Sequence, residues 1–178
     1  MSLKQWLKPV EALTRFQPPQ NIQFAGDENP DDFTVRYGYR IGDHAFLVTS
    51  DARSEVVDDH PIHPIPLTES FVRGMINLRG NLIAVFDLNP LLSSANEPTQ
   101  SRTVLIVGDN GDEVGILIDG VPRAIYDTGQ HVEPPTLPTG FQEFVHDAIS
   151  SGGTNWLEFD CQAYFRAHAD HQLAVSNG

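Results

Sequence analysis

Asp58, Asp59, His60 and His63 are oxygen and nitrogen donors close enough in sequence to suggest a divalent-cation site. They sit in the run DDHPIHPIP, where proline stiffens the chain and excludes a regular element. An exposed loop accounts for such residues without any metal. His168 and His171, three apart, share one face of a helix, with Cys161 upstream as a third donor. A solvated face near a chain end explains that group more simply. Asp109, Asp112 and Glu113 imitate a calcium loop but lack the remaining ligands at EF-hand spacing, and a hairpin turn suffices for them. The sequence contains no G-x-S-x-G elbow, phosphate-binding loop, G-x-G-x-x-G fingerprint or H-E-x-x-H pair. One residue still stands out. Arg79 lies at a turn between two apolar strands, in the stretch Phe71 to Gly80, with Gly74 and Gly80 bracketing the first strand. Such a guanidinium is either an anchor for a protein partner or a surface arginine satisfied by a local carboxylate. The residue types alone leave the two readings even.

The elements that would position these groups are mostly short strands. Residues 33–41 alternate, with Phe33, Val35, Tyr37, Tyr39 and Ile41 expected on a buried face. Gly42-Asp43 turns this strand into a second over 45–49, and 54–57 is a third. Strands over 75–78 and 82–86 face each other across Arg79, Gly80 and Asn81. The runs 104–107 and 114–118 form the clearest hairpin, joined through Asn110-Gly111, a pair that readily takes positive φ. Further strands are expected over 121–126, 144–149 and 156–159. Helices are expected at the ends: a short, proline-interrupted one carrying Leu3, Trp6, Leu7, Val10 and Leu13, and another over 162–175. Proline loops at 58–66 and 129–140 separate strand pairs, a loose layout shared by the two halves without strict repetition. Many short strands with turns about every ten residues indicate a mainly all-β sandwich or barrel.

The 178 residues suit one sizeable domain or two small barrels with a common core. We divide them into an N-terminal helix and linker (1–32), a main domain (33–160) and a C-terminal helix and tail (161–178). Acids outnumber bases 24 to 11, a net charge of −13, which argues against nucleic acid and against an anionic membrane surface. No run of apolar residues is long enough to insert into a bilayer. The opening segment is not expected to be a signal peptide, because Glu11 and Arg15 break the apolar stretch. A single cysteine excludes an intrachain disulfide. A reduced, cytoplasmic protein is expected.

The segment around Arg79 resembles the signature of the CheW-like family, the adaptor domains of bacterial chemosensory arrays. The matching residues are Ile65-Pro66, then Val72, Gly74, Ile76, Asn77, Leu78, Arg79 and Gly80, then the strand ending Asp87-Leu88. A second block follows, Arg102 to Val107 and Val114 to Val121, and Glu55-Val56 precede the proline loop. The end of the chain, with Phe144-Val145-His146 and Trp156 to Phe159, is similar to the PilI-type twitching-motility adaptors. The resemblance implies two five-stranded β-barrels on a shared core, no active site and no cofactor. It implies binding to the regulatory domain of a CheA-type histidine kinase and to the helical hairpin tip of a chemoreceptor. Carried over by position, Glu55 and Val56 border the receptor groove, and Asn77, Leu78 and Arg79 form its floor and polar anchor. Gly74 and Gly80 permit close approach and the tight turn. Asp87 is assigned preferentially to capping the next helix, and Gly115 to packing. Two departures stand out: Ala84 where the family carries proline, and Arg53 where it carries an aliphatic residue, which changes what the groove accepts. The competing class is a ligand- or metal-binding barrel built on the Asp58, Asp59, His60, His63 loop.

Overall fold

The structure, a computed structural model, describes residues 34–49, 53–92, 103–109 and 111–175, all within the compact unit Phe33–Gly178. The expected N-terminal helix and linker, Phe33, Arg102 and Asn110 lie outside the described residues, as do the side chains beyond His168, His171 among them. Ten strands follow in order: β1 (Thr34–Ile41), β2 (His44–Leu47), β3 (Ser54–Val57), β4 (Val72–Leu78), β5 (Asn81–Phe86), β6 (Thr103–Val107), β7 (Val114–Ile118), β8 (Arg123–Asp127), β9 (Val145–Ser151) and β10 (Thr154–Phe159). A single helical turn, α1 (Asn89–Leu92), follows β5, and α2 (Cys161–Val175) closes the described chain.

The strands form two five-stranded sheets, ordered β8-β1-β2-β10-β9 and β3-β6-β7-β5-β4. Each combines two antiparallel hairpins joined through one parallel pair, β2 with β10 and β5 with β7, and a fifth strand, β8 or β3, added antiparallel at one edge. Each is closed by the loop that leaves its edge strand. After β3, His63 exchanges both backbone hydrogen bonds with Met75 of β4, at 2.8 Å each. After β8, His131 bridges to Ile149 of β9, and Val132 N–H donates to the Ala148 carbonyl at 2.8 Å. The proline loops are thus the seams of two barrels. Barrel 1 comprises β1, β2, β8, β9 and β10, and barrel 2 comprises β3 to β7.

Strand alternation sends one set of side chains into each barrel and the other set between the barrels. Ile76, Ile83, Val85, Val104, Ile106 and Leu117 fill barrel 2. Ala45, Leu47, Ile125, Ile149 and Trp156 fill barrel 1. Tyr39, Ile41, Phe46, Leu105, Ile116, Ile118, Leu157 and Phe159 meet in the shared core. This explains why 104–107 reads as an unbroken apolar run, since both of its faces are covered. Helix α2 adds Cys161 and Tyr164 to that core. Asp160 caps it, accepting the Ala163 N–H at 2.9 Å, and Phe165 stacks on Phe86 with ring centres 4.3 Å apart.

Three expectations need correction. Val35 and Tyr37 are 50% and 59% exposed, because the first half of β1 pairs with β8 beyond the inter-barrel contact, and only Tyr39 and Ile41 reach the core. Phe144 does not open a strand; it ends a 3-10 turn, Gln142–Phe144. Val121 is exposed ahead of β8, which begins at Arg123.

Candidate functional site

The β4–β5 hairpin is the tightest element of barrel 2. Leu78 pairs with Asn81, leaving two turn residues, Arg79 at φ 53° and Gly80 at φ 91°. Positive φ at both positions defines a type I′ turn, whose twist matches the flanking strands. Asn77 fixes it from below, its Oδ1 accepting the Gly80 N–H at 3.0 Å. A Cβ on Gly80 would meet nothing, so this glycine supplies conformation and not room.

Glu55 lies on edge strand β3 opposite Ile106, which turns its side chain toward the inside of barrel 2. At the mouth of the barrel it meets Arg79 in a two-pronged pair, Nη1 to Oε2 at 2.8 Å and Nη2 to Oε1 at 2.6 Å. Such a fork fixes direction as well as distance. The hydrogen bond to Glu55, and then its charge, raise the Arg79 pKa further. The pair remains open to water, with side chains 73% and 40% exposed. Arg79 is thus satisfied by a local carboxylate, and the pair holds it toward solvent in one orientation.

Behind the fork is a cleft of about 350 Å³. Glu55, Leu78, Arg79, Ile83 and Ile106 line it, and Arg53, Asp109 and Glu113 stand around it. Of the residues singled out in the sequence, the structure brings Glu55, Leu78 and Arg79 together here. Val56 is on the opposite face of β3, 40% exposed, and Asn77 works within the turn. Gly74, at φ 136°, lies apart from the cleft, where a Cβ would collide with the His63 carbonyl oxygen and come within 2.9 Å of Pro64 Cα. Its close approach is to the chain's own seam. Gly115 has Val104 and Val85 against it and packs between strands. Asp87, fully buried, accepts the Asn89 N–H at 3.1 Å and lies 3.4 Å from Arg73 Nη1, so it holds the entry to α1. Sequence reading missed Ile83 and Ile106 as the cleft floor, and the partnership of Glu55 with Arg79. Opposite charges flanking a proline loop were the available signal.

The Asp58, Asp59, His60, His63 group does not converge. Asp58 Oδ1 accepts from Thr103 Oγ1 at 3.1 Å, and His60 Nε2 donates to the Asn77 carbonyl at 3.0 Å. His63 engages β4 through its backbone. Among the described residues, no three His, Cys, Asp or Glu side chains stand close enough to hold a metal ion. Burial pushes the Cys161 thiol up to about 12, aided by the Asp160 charge, and His168 Nδ1 lies 2.8 Å from the Tyr164 carbonyl of its own helix. His131 Nδ1 meets Asp147 Oδ2 at 2.7 Å, but among the described residues no hydroxyl or thiol is hydrogen-bonded to that imidazole. Also among the described residues, no helix is long and apolar enough to cross a membrane.

Comparison with known proteins gives a consistent result. The CheW-like domain family matches residues 37–169. The chemotaxis protein CheW of Treponema pallidum is 26% identical over 145 residues, 76% of this chain and 84% of that protein. Protein PilI of Pseudomonas aeruginosa is 28% identical over 139 residues, 76% and 75% of the two chains. The crystal structure of scaffolding protein TtCheW from Thermoanaerobacter tengcongensis superposes with a TM-score of 0.60 at 26% identity, covering 74% of this chain and 91% of that one.

Proposed function

The chain belongs to the CheW-like domain family, and from that premise we propose that it is a non-catalytic adaptor joining a chemoreceptor to a CheA-type histidine kinase. It would serve chemotaxis or type IV pilus signalling from the cytoplasm, on the cytoplasmic side of a receptor array. The receptor's helical hairpin tip would seat in the cleft beside Arg79, and the kinase regulatory domain would dock on barrel surface, with residues 33–160 as the working domain.

The observation that carries this reading is the Glu55–Arg79 fork. It projects from a rigid turn into solvent, over an apolar floor of Leu78, Ile83 and Ile106. A pre-oriented arginine beside apolar surface is the composition of a protein–protein hot spot. The test is a pull-down in which the purified chain is offered the kinase regulatory domain and the receptor tip from the same genome. Retention of both is expected. Retention of neither, from a folded chain, would overturn the adaptor role.

A further inference from the structure

The two barrels follow one plan in permuted order. In each, an edge strand leads into a proline loop that carries a bridging histidine, and then to a hairpin with a two-residue turn. Glu55 precedes His63 by eight residues, and Arg123 precedes His131 by eight. Both face their barrel's interior, Glu55 opposite Ile106 and Arg123 on the same face as Ile125 of β8. The hairpin tips correspond as well. Arg79-Gly80 in barrel 2 answers to Gly152-Gly153 in barrel 1, at φ 58° and 72°. Barrel 1 therefore has a mouth that corresponds by position to the one beside Arg79, with the charge of the edge-strand residue inverted.

That mouth is built around Trp156. The guanidinium carbons of Arg123 and Arg40 lie 4.9 and 5.9 Å from the centre of its ring. Arg123 pairs with Gly38, two positions before Arg40 on the same face of β1, so the two arginines are diagonal neighbours on one sheet face. Gly38 makes room for the indole, because a Cβ there would run into the ring. Stacking satisfies the flat faces of the guanidinium groups but not their N–H edges.

Carboxylates are plentiful in this chain, and other arginines of the described residues illustrate how they are used. Arg36, on the same inner face, is held by Glu158 at 3.0 Å and Asp127 at 3.8 Å. Arg73, Arg79 and Arg166 pair with Asp87, Glu55 and Asp112. Among the described residues, neither Arg40 nor Arg123 meets a carboxylate. Two like charges held over one ring, with no carboxylate beside them among the described residues, repel each other and favour an incoming anion. The tip residues Gly152 and Gly153 carry no side chain toward this mouth, and a Cβ at either would have nothing within 4 Å; Trp156 itself is buried beneath the arginines.

We propose that the mouth of barrel 1, formed by Arg40, Arg123 and Trp156, is a second docking site that takes an acidic polypeptide segment of a protein partner. The net charge of −13 selects among anions. A long polyanion such as nucleic acid extends past the two arginines and meets the repulsion of the chain's net negative charge, whereas a short segment with two or three carboxylates places its charge only where the arginines are. Screening beyond about 8 Å at physiological salt keeps that discrimination local.

The chain has two tryptophans, Trp6 and Trp156, so in a Trp6→Phe background indole emission reports this site alone. The titrants are a synthetic hexapeptide of alternating Glu and Gly, its Gln-Gly counterpart, inorganic phosphate and a ten-residue oligothymidylate. The Glu peptide should saturate the emission change below about 1 mM. Arg123→Gln and Arg40→Gln, each folded by thermal melt, should weaken it at least tenfold, and Arg166→Gln should not alter it. The proposal fails if the Glu and Gln peptides bind alike or not at all. It also fails if both arginine variants bind as well as the parent, or if phosphate or the oligonucleotide binds as tightly as the Glu peptide.

Discussion

Replacing Arg79 with asparagine separates what this residue does for the fold from what it does for a partner. The Glu55 fork lies in water, with the arginine 73% exposed, and exposed ion pairs add little to stability because solvent screens them and long side chains lose freedom. Against that small loss stands a gain in the turn. Arg79 holds φ 53°, a region where a Cβ is disfavoured and where asparagine is better tolerated. Asn-Gly is the preferred pair for a type I′ turn. The melting temperature of Arg79→Asn should therefore stay level or rise by roughly 2–4 °C for a chain of this size. Binding should move the other way. Losing the only cation of the fork leaves Glu55 without its bidentate partner, and affinity for the receptor tip should fall about tenfold or more, as for a central hot-spot arginine. Calorimetric melting and isothermal titration read the two effects separately. The double exchange Glu55→Arg with Arg79→Glu then restores a pair of reversed polarity. If it binds like the parent, the fork is only a clamp. A drop in melting temperature above about 5 °C in Arg79→Asn would also refute the reasoning, by showing that the guanidinium holds the barrel together.

The seam and the buried thiol give two further expectations. Gly74→Ala drives a methyl into the His63 carbonyl at a φ of 136° and should cost about 3 kcal/mol, whereas Gly80→Ala, with open space around it, should cost only the roughly 1–2 kcal/mol of a Cβ at positive φ; paired urea melts check the difference. Cys161, pushed up from 9.0 to about 12 by burial, should resist a thiol reagent at neutral pH until the chain is denatured. The unfolded thiol loses its proton first as pH rises, so stability is full below about pH 9 and declines toward pH 12 by roughly 1.4 kcal/mol per unit. Tyr39 and Tyr164, whose burial also raises their pKa values, act in the same direction. Denaturant midpoints measured from pH 8 upward should show this fall.

Local pattern made the hairpins legible and non-local pairing did not. The runs 104–107 and 114–118 declare β6 and β7 through their turn, and Arg79-Gly80 does the same for β4 and β5. No spacing announces that β2 runs parallel to β10, or β5 to β7, because those contacts join segments with long connections between them. Nor could alternation show that Val35 and Tyr37 stay exposed while Tyr39 and Ile41 on the same face are buried. The face is continuous, and only the position of barrel 2 decides where its cover ends. The loop DDHPIHPIP looked irregular for a sound reason, since Pro61, Pro64 and Pro66 have no N–H to give. His63 keeps its donor among them, and that one N–H, with its carbonyl, is what closes barrel 2 against Met75.

That economy of backbone bonding bears on how sites arise in this fold. A bridging residue in each proline loop fixes the edge strand against the opposite hairpin through main-chain hydrogen bonds. The backbone ladder of the closure does not depend on the side chain eight residues before the bridge or on those of the two turn residues. In barrel 2 those positions hold Glu55 and Arg79, joined in a fork over a cleft with an apolar floor and a polar rim. In barrel 1 they hold Arg123 and a pair of glycines, with Trp156 beneath and no carboxylate opposite among the described residues. One scaffold thus supports two mouths of different chemistry. A substitution at either mouth should change recognition while leaving the fold in place, whereas a substitution at a seam, as at Gly74, should do the reverse.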